Sequence, residues 1–306
     1  MLLHFFKNMK LVFLGTGGSY PTPQRNVPCI ALKFQGDILL FDCGEGSQRQ
    51  LMMSSLSFMQ VKKIFISHFH GDHFLGIPGL VQSMNMNDRE EPLEIYGPKG
   101  TASLIKGLIS RGFFGPGFPI HIHELNPSAR LEFDNYYIEA IESEHDVPSL
   151  AYSFQERDKK GRFDRQRALD LGVPEGPLFS ELHEGNSVKV DGKLIRPEEV
   201  VGPPRRGKKV VYTGDTRPCQ TIIEAAERAD VLIHDSTLDS SMSERAMERG
   251  HTSADMAASI ASKAGVGRLF LVHISPRYTD VKSLEEEARE IFENSSVPED
   301  LFEFEL

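Results

Sequence analysis

Apolar residues along the chain fall into short runs, and several of these runs end in glycine or in a titratable residue. "KLVFLGTG" (10–17), "CIALKF" (29–34), "DILLFDCG" (37–44) and "VKKIFISH" (61–68) predict strands. "GIPGLVQSMNM" (76–86) predicts a helix after a turn. "LEFDNYYIEAIES" (131–143) alternates apolar and polar positions, the pattern of antiparallel strands with one exposed face. The strand type of the first hundred residues returns in "KKVVYTGDT" (208–216), "DVLIHDST" (230–237) and "GRLFLVHIS" (267–275), each closing on a polar cluster. Between them "QTIIEAAERA" and "TSADMAASIASKAG" have helical periodicity. Strands alternating with helices predict an α/β layered fold.

The middle of the chain breaks this rhythm. "ERDKKGRFDRQR" (156–167) is densely charged, "LGVPEGPLFSELHEG" (171–185) is punctuated by glycine and proline, and "RPEEVVGPPRRGKK" (196–209) leads back into a strand. The expectation is one domain over 1–306 with residues 154–208 inserted as an arm; a long surface loop with a short hairpin is the plainer alternative.

At 306 residues and 40% apolar content the chain can bury one large core or two modest ones. No run approaches the twenty or so apolar residues of a membrane helix, and no small-residue cleavage site follows "MLLHFFKNMK". A soluble, cytoplasmic protein is expected. Cys29, Cys43 and Cys219 lack CxxC spacing, which leaves buried free thiols as the simplest reading. The net charge of −10 argues against a surface that grips nucleic acid everywhere. Two local clusters run the other way: Arg157, Lys159, Lys160, Arg162, Arg165 and Arg167, and then Arg205, Arg206, Lys208 and Lys209. They bracket the inserted segment; taken alone such clusters read as a solvated charged loop, though lysine and arginine are also the residues that meet nucleic-acid phosphates.

"SHFHGDH" (67–73) carries the densest chemistry. His68 and His70 project from one face if the strand persists, Gly71 permits a turn, and Asp72 and His73 open the next segment. Imidazoles and a carboxylate without sulfur suit zinc, and also manganese or iron. Four ligands in so few residues seldom reach one ion, which predicts two neighbouring ions. His145, Asp215 and His273 each follow an apolar strand and can complete the set. Other histidines compete. "HIH" at His121 and His123 has the same spacing but no aspartate after it, His4 and His183 lie in poorly patterned regions, and His234 precedes Asp235. His251 comes just before a helix with threonine or serine as its N-cap, as a structural residue or as a proton donor. "GTGGS" (15–19) lacks the spacing of a nucleotide-binding loop and reads as a turn.

"SHFHGDH" resembles the HxHxDH signature of the metallo-β-lactamase superfamily. "FLGTGGSYPTPQRN", "LLFDCGEGSQRQL", "GDTRPC", "HDST", "GHTS" and "HISPRY" resemble the ribonuclease Z family, the transfer-RNA 3′-processing endonucleases, over nearly the full length. The resemblance implies a four-layer αβ/βα sandwich. It also implies a zinc-dependent endoribonuclease that removes the 3′ trailer of precursor tRNA by two-metal hydroxide attack, leaving a 3′-hydroxyl and a trailer 5′-phosphate. His68, His70 and His145 would hold one Zn2+, Asp72, His73 and His273 the other, and Asp215 would bridge them; Mn2+ or Fe2+ would also fit. Asp42 would orient a ligand histidine. Asp72, His251 and Asp235 are the implied catalytic residues, with His251 protonating the leaving oxygen. Asp235 stands where the family usually has glutamate, one methylene longer. Arg25, Asn26 and Arg277, with Lys159, Lys160 and Arg162 of the arm, would contact RNA, and a homodimer is implied. The competing readings are another hydrolase of the same fold, a phosphodiesterase or thioesterase, and a zinc-dependent RNA-binding protein without catalysis.

Overall fold

The structure, a computed structural model, describes residues 9–111 and 115–306. The first sheet takes β1 (Lys10–Gly15), β2 (Cys29–Phe34), β3 (Asp37–Phe41), β4 (Val61–Phe65), β5 (Leu93–Pro98) and β6 (Ile120–Leu125). The second begins with β7 (Arg130–Glu132), β8 (Tyr136–Glu142) and β9 (Leu150–Glu156). After a separate hairpin, β10 (Val188–Val190) and β11 (Lys193–Ile195), it resumes with β12 (Lys209–Tyr212), β13 (Val231–Asp235), β14 (Arg268–Val272) and β15 (Ser295–Ser296). A last strand, β16 (Glu303–Glu305), returns to pair antiparallel with β1. The sheet orders are β16-β1-β2-β3-β4-β5-β6 and β15-β14-β13-β12-β9-β8-β7.

Strands at the centre of the sheets are apolar throughout because both of their faces are covered. Val12, Leu14, Ile64 and Ile95 face α1 (Ser47–Met53), α3 (Ile77–Met86) and α4 (Thr101–Ile109), beyond the one-turn α2 (Gly71–Phe74). On the inner faces aromatic rings meet across the sheets: Phe13 with Phe270 at 4.8 Å, Phe41 with Tyr212 at 5.8 Å, and Phe65 with Tyr152 at 5.3 Å. Such pairs add about 0.5–1.5 kcal/mol each beyond the area they bury. The outer face of the second sheet packs on α7 (Gln220–Ala225) and, after the short α8 (Ser243–Glu248), on α9 (Ala254–Ala264) and α10 (Lys282–Ile291). These layers are the expected αβ/βα sandwich. In α9, Ala254, Ala257, Ala258, Ala261 and Ala264 make the buried stripe, Ser253 is the N-cap, and Gly265 ends the helix at φ 63°.

Two compact units divide the chain. The first comprises residues 9–111, 115–133, 137–154 and 209–306 of the described chain. The second comprises 134–136 and 155–208, including α5 (Arg165–Asp170), α6 (Pro177–Glu184) and the β10–β11 hairpin. It has a small core of its own, in which Ala168, Val173, Leu182, Val188, Ile195 and Val200 are buried. Its two long segments form a ribbon: Lys159 and Arg205 exchange both backbone hydrogen bonds at 2.9 Å, and Gly202 N–H donates to the Arg162 carbonyl. This pairing brings two basic clusters that are distant in sequence onto one ribbon. Among the described residues, no helix is long and apolar enough to cross a membrane. The three cysteines are free and buried.

Candidate metal centre

All seven proposed ligands lie in the first unit, at strand ends and in the loops that follow them. After β4 the chain leaves the sheet at Ser67. His68 and His70 follow, and α2, capped at His70, carries Asp72 and His73. His145 comes from the β8–β9 loop, Asp215 follows β12, and His273 follows β14. His68, His70, His145 and Asp215 bring one ligand atom each within 4.8 Å of one another, and so do Asp72, His73 and His273. Asp215 lies between the two groups. Its Oδ2 is 3.6 Å from His68 and 3.3 Å from His273, and its Oδ1 is 3.4 Å from His73.

Hydrogen bonds behind the rings fix which nitrogen faces inward. His73 Nδ1 donates to Asp42 Oδ2 at 2.7 Å, His145 Nδ1 to the Gly250 carbonyl at 2.8 Å, and His273 Nδ1 to Thr237 Oγ1 at 2.8 Å. Ser67 Oγ donates to Asp42, and so accepts from His68 Nδ1 at 3.0 Å. In the neutral rings the inward nitrogens therefore carry the lone pairs. His68 Nε2 faces His70 Nδ1 at 2.9 Å, and His145 Nε2 faces the same atom at 3.2 Å. His73 Nε2 and Asp215 Oδ1 are buried without a hydrogen-bond partner. Imidazole nitrogens and carboxylate oxygens crowded this closely, two of them buried without a partner, make a donor set that fits divalent metal ions.

The electrostatics agree. Burial would raise Asp215, yet His273 and His73 hold it well below the usual carboxylate range. Burial, with His73 beside it, pushes His68 well down to the neutral, ligating form. Burial opposes charge on His73, but Asp215 and Asp42 on either side push it well up. That imidazole sits where positive charge is wanted.

Backbone geometry holds the ligands in place. Asp42 adopts φ 58° and His273 φ 60°, conformations uncommon for side-chain-bearing residues. From that position Asp42 accepts from Ser67 N–H, Ser67 Oγ, Tyr212 OH and His73. The "GTGGS" glycines have a wall to form: a Cβ on Gly18 would come within 2.5 Å of the His273 ring. The next amide, Ser19 N–H, donates to Asp72 Oδ2 at 2.7 Å. A cavity of about 450 Å3 opens alongside, with Gly17, Tyr20, Arg25, Ile274 and Tyr278 among its lining.

His251 Nδ1 is 2.9 Å from Asp235 Oδ2, so the shorter carboxylate still reaches it. Asp235 also accepts from Thr216 N–H, Thr237 N–H and Thr237 Oγ1, which uses up its lone pairs and argues against its being a ligand. Burial lowers the pKa of His251, but Asp235 outweighs it and raises the ring to about 9. The imidazole is thus protonated at neutral pH.

The remaining candidates divide. Arg25 turns inward, donating to Thr16 Oγ1 and the Pro298 carbonyl, while Asn26 N–H goes to Asp300. Arg277 is exposed and touches Met242. Lys159, Lys160 and Arg162 are exposed on the second unit, with Lys159 paired to Glu156. His121 and His123 share the two oxygens of Glu94 at 2.7 and 2.6 Å. His183 bonds the Gly161 carbonyl, His234 the Asp235 carbonyl, and His4 lies outside the described residues. Sequence reasoning did not single out Thr216 or Arg217. The Thr216 hydroxyl accepts from Glu144 N–H, and Arg217 grips Asp146 and the Met247 carbonyl, tying the His145 loop to the segment before His251. The "GDTRP" motif contained them, but only Asp215 has a ligand's chemistry.

A family model described as Beta-lactamase superfamily domain matches residues 199–274, and one described as Anti-Pycsar protein Apyc1 matches residues 9–113. The chain is 48% identical over 299 residues to a ribonuclease Z of Methanosarcina acetivorans, covering 97% of this chain and 98% of that one. It is 45% identical to a ribonuclease Z of Pyrococcus abyssi, with 95% and 94% covered. Among solved structures it resembles human tRNase Z, short form, at 28% identity and a TM-score of 0.72, covering 97% of this chain and 98% of that one.

Proposed function

The chain belongs to the ribonuclease Z family of metallo-β-lactamase-fold endoribonucleases, and from that premise we propose that it removes the 3′ trailer from precursor tRNA at a two-metal site. The observation that carries the reading is the convergence of imidazole nitrogens and carboxylate oxygens on two adjacent points, with His73 Nε2 and Asp215 Oδ1 buried there without a hydrogen-bond partner. His68, His70 and His145 would hold one ion and Asp72, His73 and His273 the second, with Asp215 shared. Nitrogen and carboxylate donors suit Zn2+, and also Mn2+ or Fe2+. Ions held there would make water nucleophilic near neutral pH and offset the charge of an in-line displacement at phosphorus.

The chain's own groups do the rest. Asp42 keeps the His73 Nδ1 proton turned away from the site, so that Nε2 stays free. His251, charged at neutral pH and steadied by Asp235, donates its proton to the departing 3′ oxygen, a strongly basic leaving group. The tRNA then ends in a 3′-hydroxyl and the trailer begins with a 5′-phosphate. Arg277 and the exposed Lys159, Lys160 and Arg162 contact the RNA backbone. Arg25 lines the cavity beside His273, where the acceptor end enters, and Asn26 helps close the base of their loop. The second unit serves as the substrate-binding arm of a cytoplasmic homodimer.

The test is incubation of the metal-loaded protein with a 3′-extended precursor tRNA, a thioester and a small phosphodiester. Cleavage of the precursor to a 3′-hydroxyl end is expected. Thioester turnover with the precursor left intact would sink the proposal.

A further inference from the structure

Residue 300 is far from every proposed ligand in sequence, yet its carboxylate accepts four hydrogen bonds, as many as Asp42 and Asp235 each accept. Asp300 Oδ1 accepts from Thr16 N–H at 3.1 Å and Thr16 Oγ1 at 2.8 Å. Its Oδ2 accepts from Asn26 N–H at 2.6 Å and Gln50 Nε2 at 2.9 Å. Thr16 and Asn26 are the two ends of the loop that begins with the "GTGGS" glycines, so one side chain closes that loop at its base. Arg25 reinforces the closure from within the loop, donating to Thr16 Oγ1 at 2.6 Å and the Pro298 carbonyl at 2.7 Å. Gln50 reaches from α1 to Asp300 and to the Leu14 carbonyl.

The loop so closed touches the metal centre twice. Ser19 N–H holds Asp72 Oδ2. Gly18, whose own N–H donates to the Ile274 carbonyl at 3.0 Å, lies flat against the His273 ring. We infer that Asp300 is a positioning residue for the Asp72, His73 and His273 half of the site. It acts through the Thr16–Asn26 loop, fixing one oxygen of Asp72 and the plane of His273 before an ion arrives. A carboxylate receiving four donors is rigid, and that rigidity passes to ligands that would otherwise lose side-chain freedom on binding. The inference rests on the reading of this cluster as a metal centre.

The test uses full-length wild type, Asp300→Asn and Thr16→Val, each loaded with Zn2+. Zinc per chain is measured against rising chelator, amide exchange is followed over residues 17–26, and kcat and KM are measured on precursor tRNA with and without excess Zn2+. Asp300→Asn sets an amide where only acceptors fit. It should release zinc at about tenfold lower chelator concentration, toward the low end for residues behind a ligand. Exchange over 17–26 should quicken, and kcat should fall and recover with excess Zn2+. Thr16→Val removes one donor, should shift the same way by less, and keeps the question open to measurement if Asp300→Asn does not fold. Zinc retention equal to wild type in both variants overturns the inference, as does a kcat loss that Zn2+ does not restore. Wild type that binds zinc but leaves precursor tRNA uncut would overturn the proposed function instead, and the chelator comparison would still decide the role of Asp300.

Discussion

His251 and Asp235 form a pair in which geometry, more than side-chain length, sets the chemistry. Asp235 is held by three donors besides the histidine, and this fixes the carboxylate at the distance a longer side chain would reach more loosely. Replacing His251 with alanine should therefore slow precursor cleavage by about 10²–10⁴-fold, the range for a missing general acid. Bound metal should be unchanged by elemental analysis, because all seven proposed ligands remain in place. A fall in metal content would instead make His251 a ligand. At this scale the sequence was most legible where function demands a scarce residue type. Histidines and aspartates at strand ends stood out by type and spacing, whereas Asp42 entered only through the resemblance to the family. Thr216, Arg217, Gln50 and Asp300 act through backbone groups and through each other, and such polar residues look alike on any surface. Arg25, given as an RNA contact only by the resemblance to the family, turns its guanidinium onto the base of its own loop.

Elements were legible to the extent that burial was two-sided. The continuous apolar runs of β1, β2, β3 and β4 and the alanine stripe of α9 stood out because packing on both sides, or along one stripe, leaves a regular pattern. Others gave no such signal. β5 ends in Gly97 and Pro98, β9 mixes serine and glutamine into its run, and α1 starts at Gly46 with no side-chain cap. Along α10 only Leu284 and Ala288 are buried, too narrow a stripe to stand out from its charged face. The β5–β6 pair carries a testable electrostatic feature. Glu94 lies opposite His121, and its carboxylate also reaches His123, which stacks on Tyr96 at 4.6 Å. Partial burial would raise Glu94, but the hydrogen bonds from His123 and His121 hold it below its ordinary 4.5. A carboxylate depressed in the folded state stabilises above the unfolded value and loses that contribution as pH falls through the folded one. Denaturation of wild type and Glu94→Gln across pH should show wild type ahead by at most ~1 kcal/mol above about pH 4.5. The gap should close at lower pH; a gap that persists well into the acid range would mean that the histidines do not stabilise the charged carboxylate.

At the scale of the molecule, charge is partitioned in a way the total conceals. The chain is acidic at −10, yet the ribbon of the second unit sets Lys159 opposite Arg205, with Lys160 and Arg162 exposed beside them. Glu156 offsets Lys159, but the cations left crowded on the ribbon still disfavour it unless a partner of opposite charge meets them. The cost is acceptable if the ribbon exists to meet a phosphate backbone, and acidic surface elsewhere would then discourage indiscriminate RNA binding. The consequence is a separation of binding from chemistry. Changing Lys160 and Arg162 together to alanine should raise KM for precursor tRNA and leave kcat near wild type, since neither residue belongs to the unit that contains the proposed ligands. Salt gives the sharper reading, because taking one cation away from a phosphate flattens the dependence of log affinity on log salt by about one unit. Measured from low to moderate ionic strength, the double variant should show a shallower slope. The difference from wild type should be greatest at low salt and shrink as screening weakens the attraction in both. An unchanged slope with unchanged KM would remove the ribbon from the RNA interface and leave its charges as solvated surface.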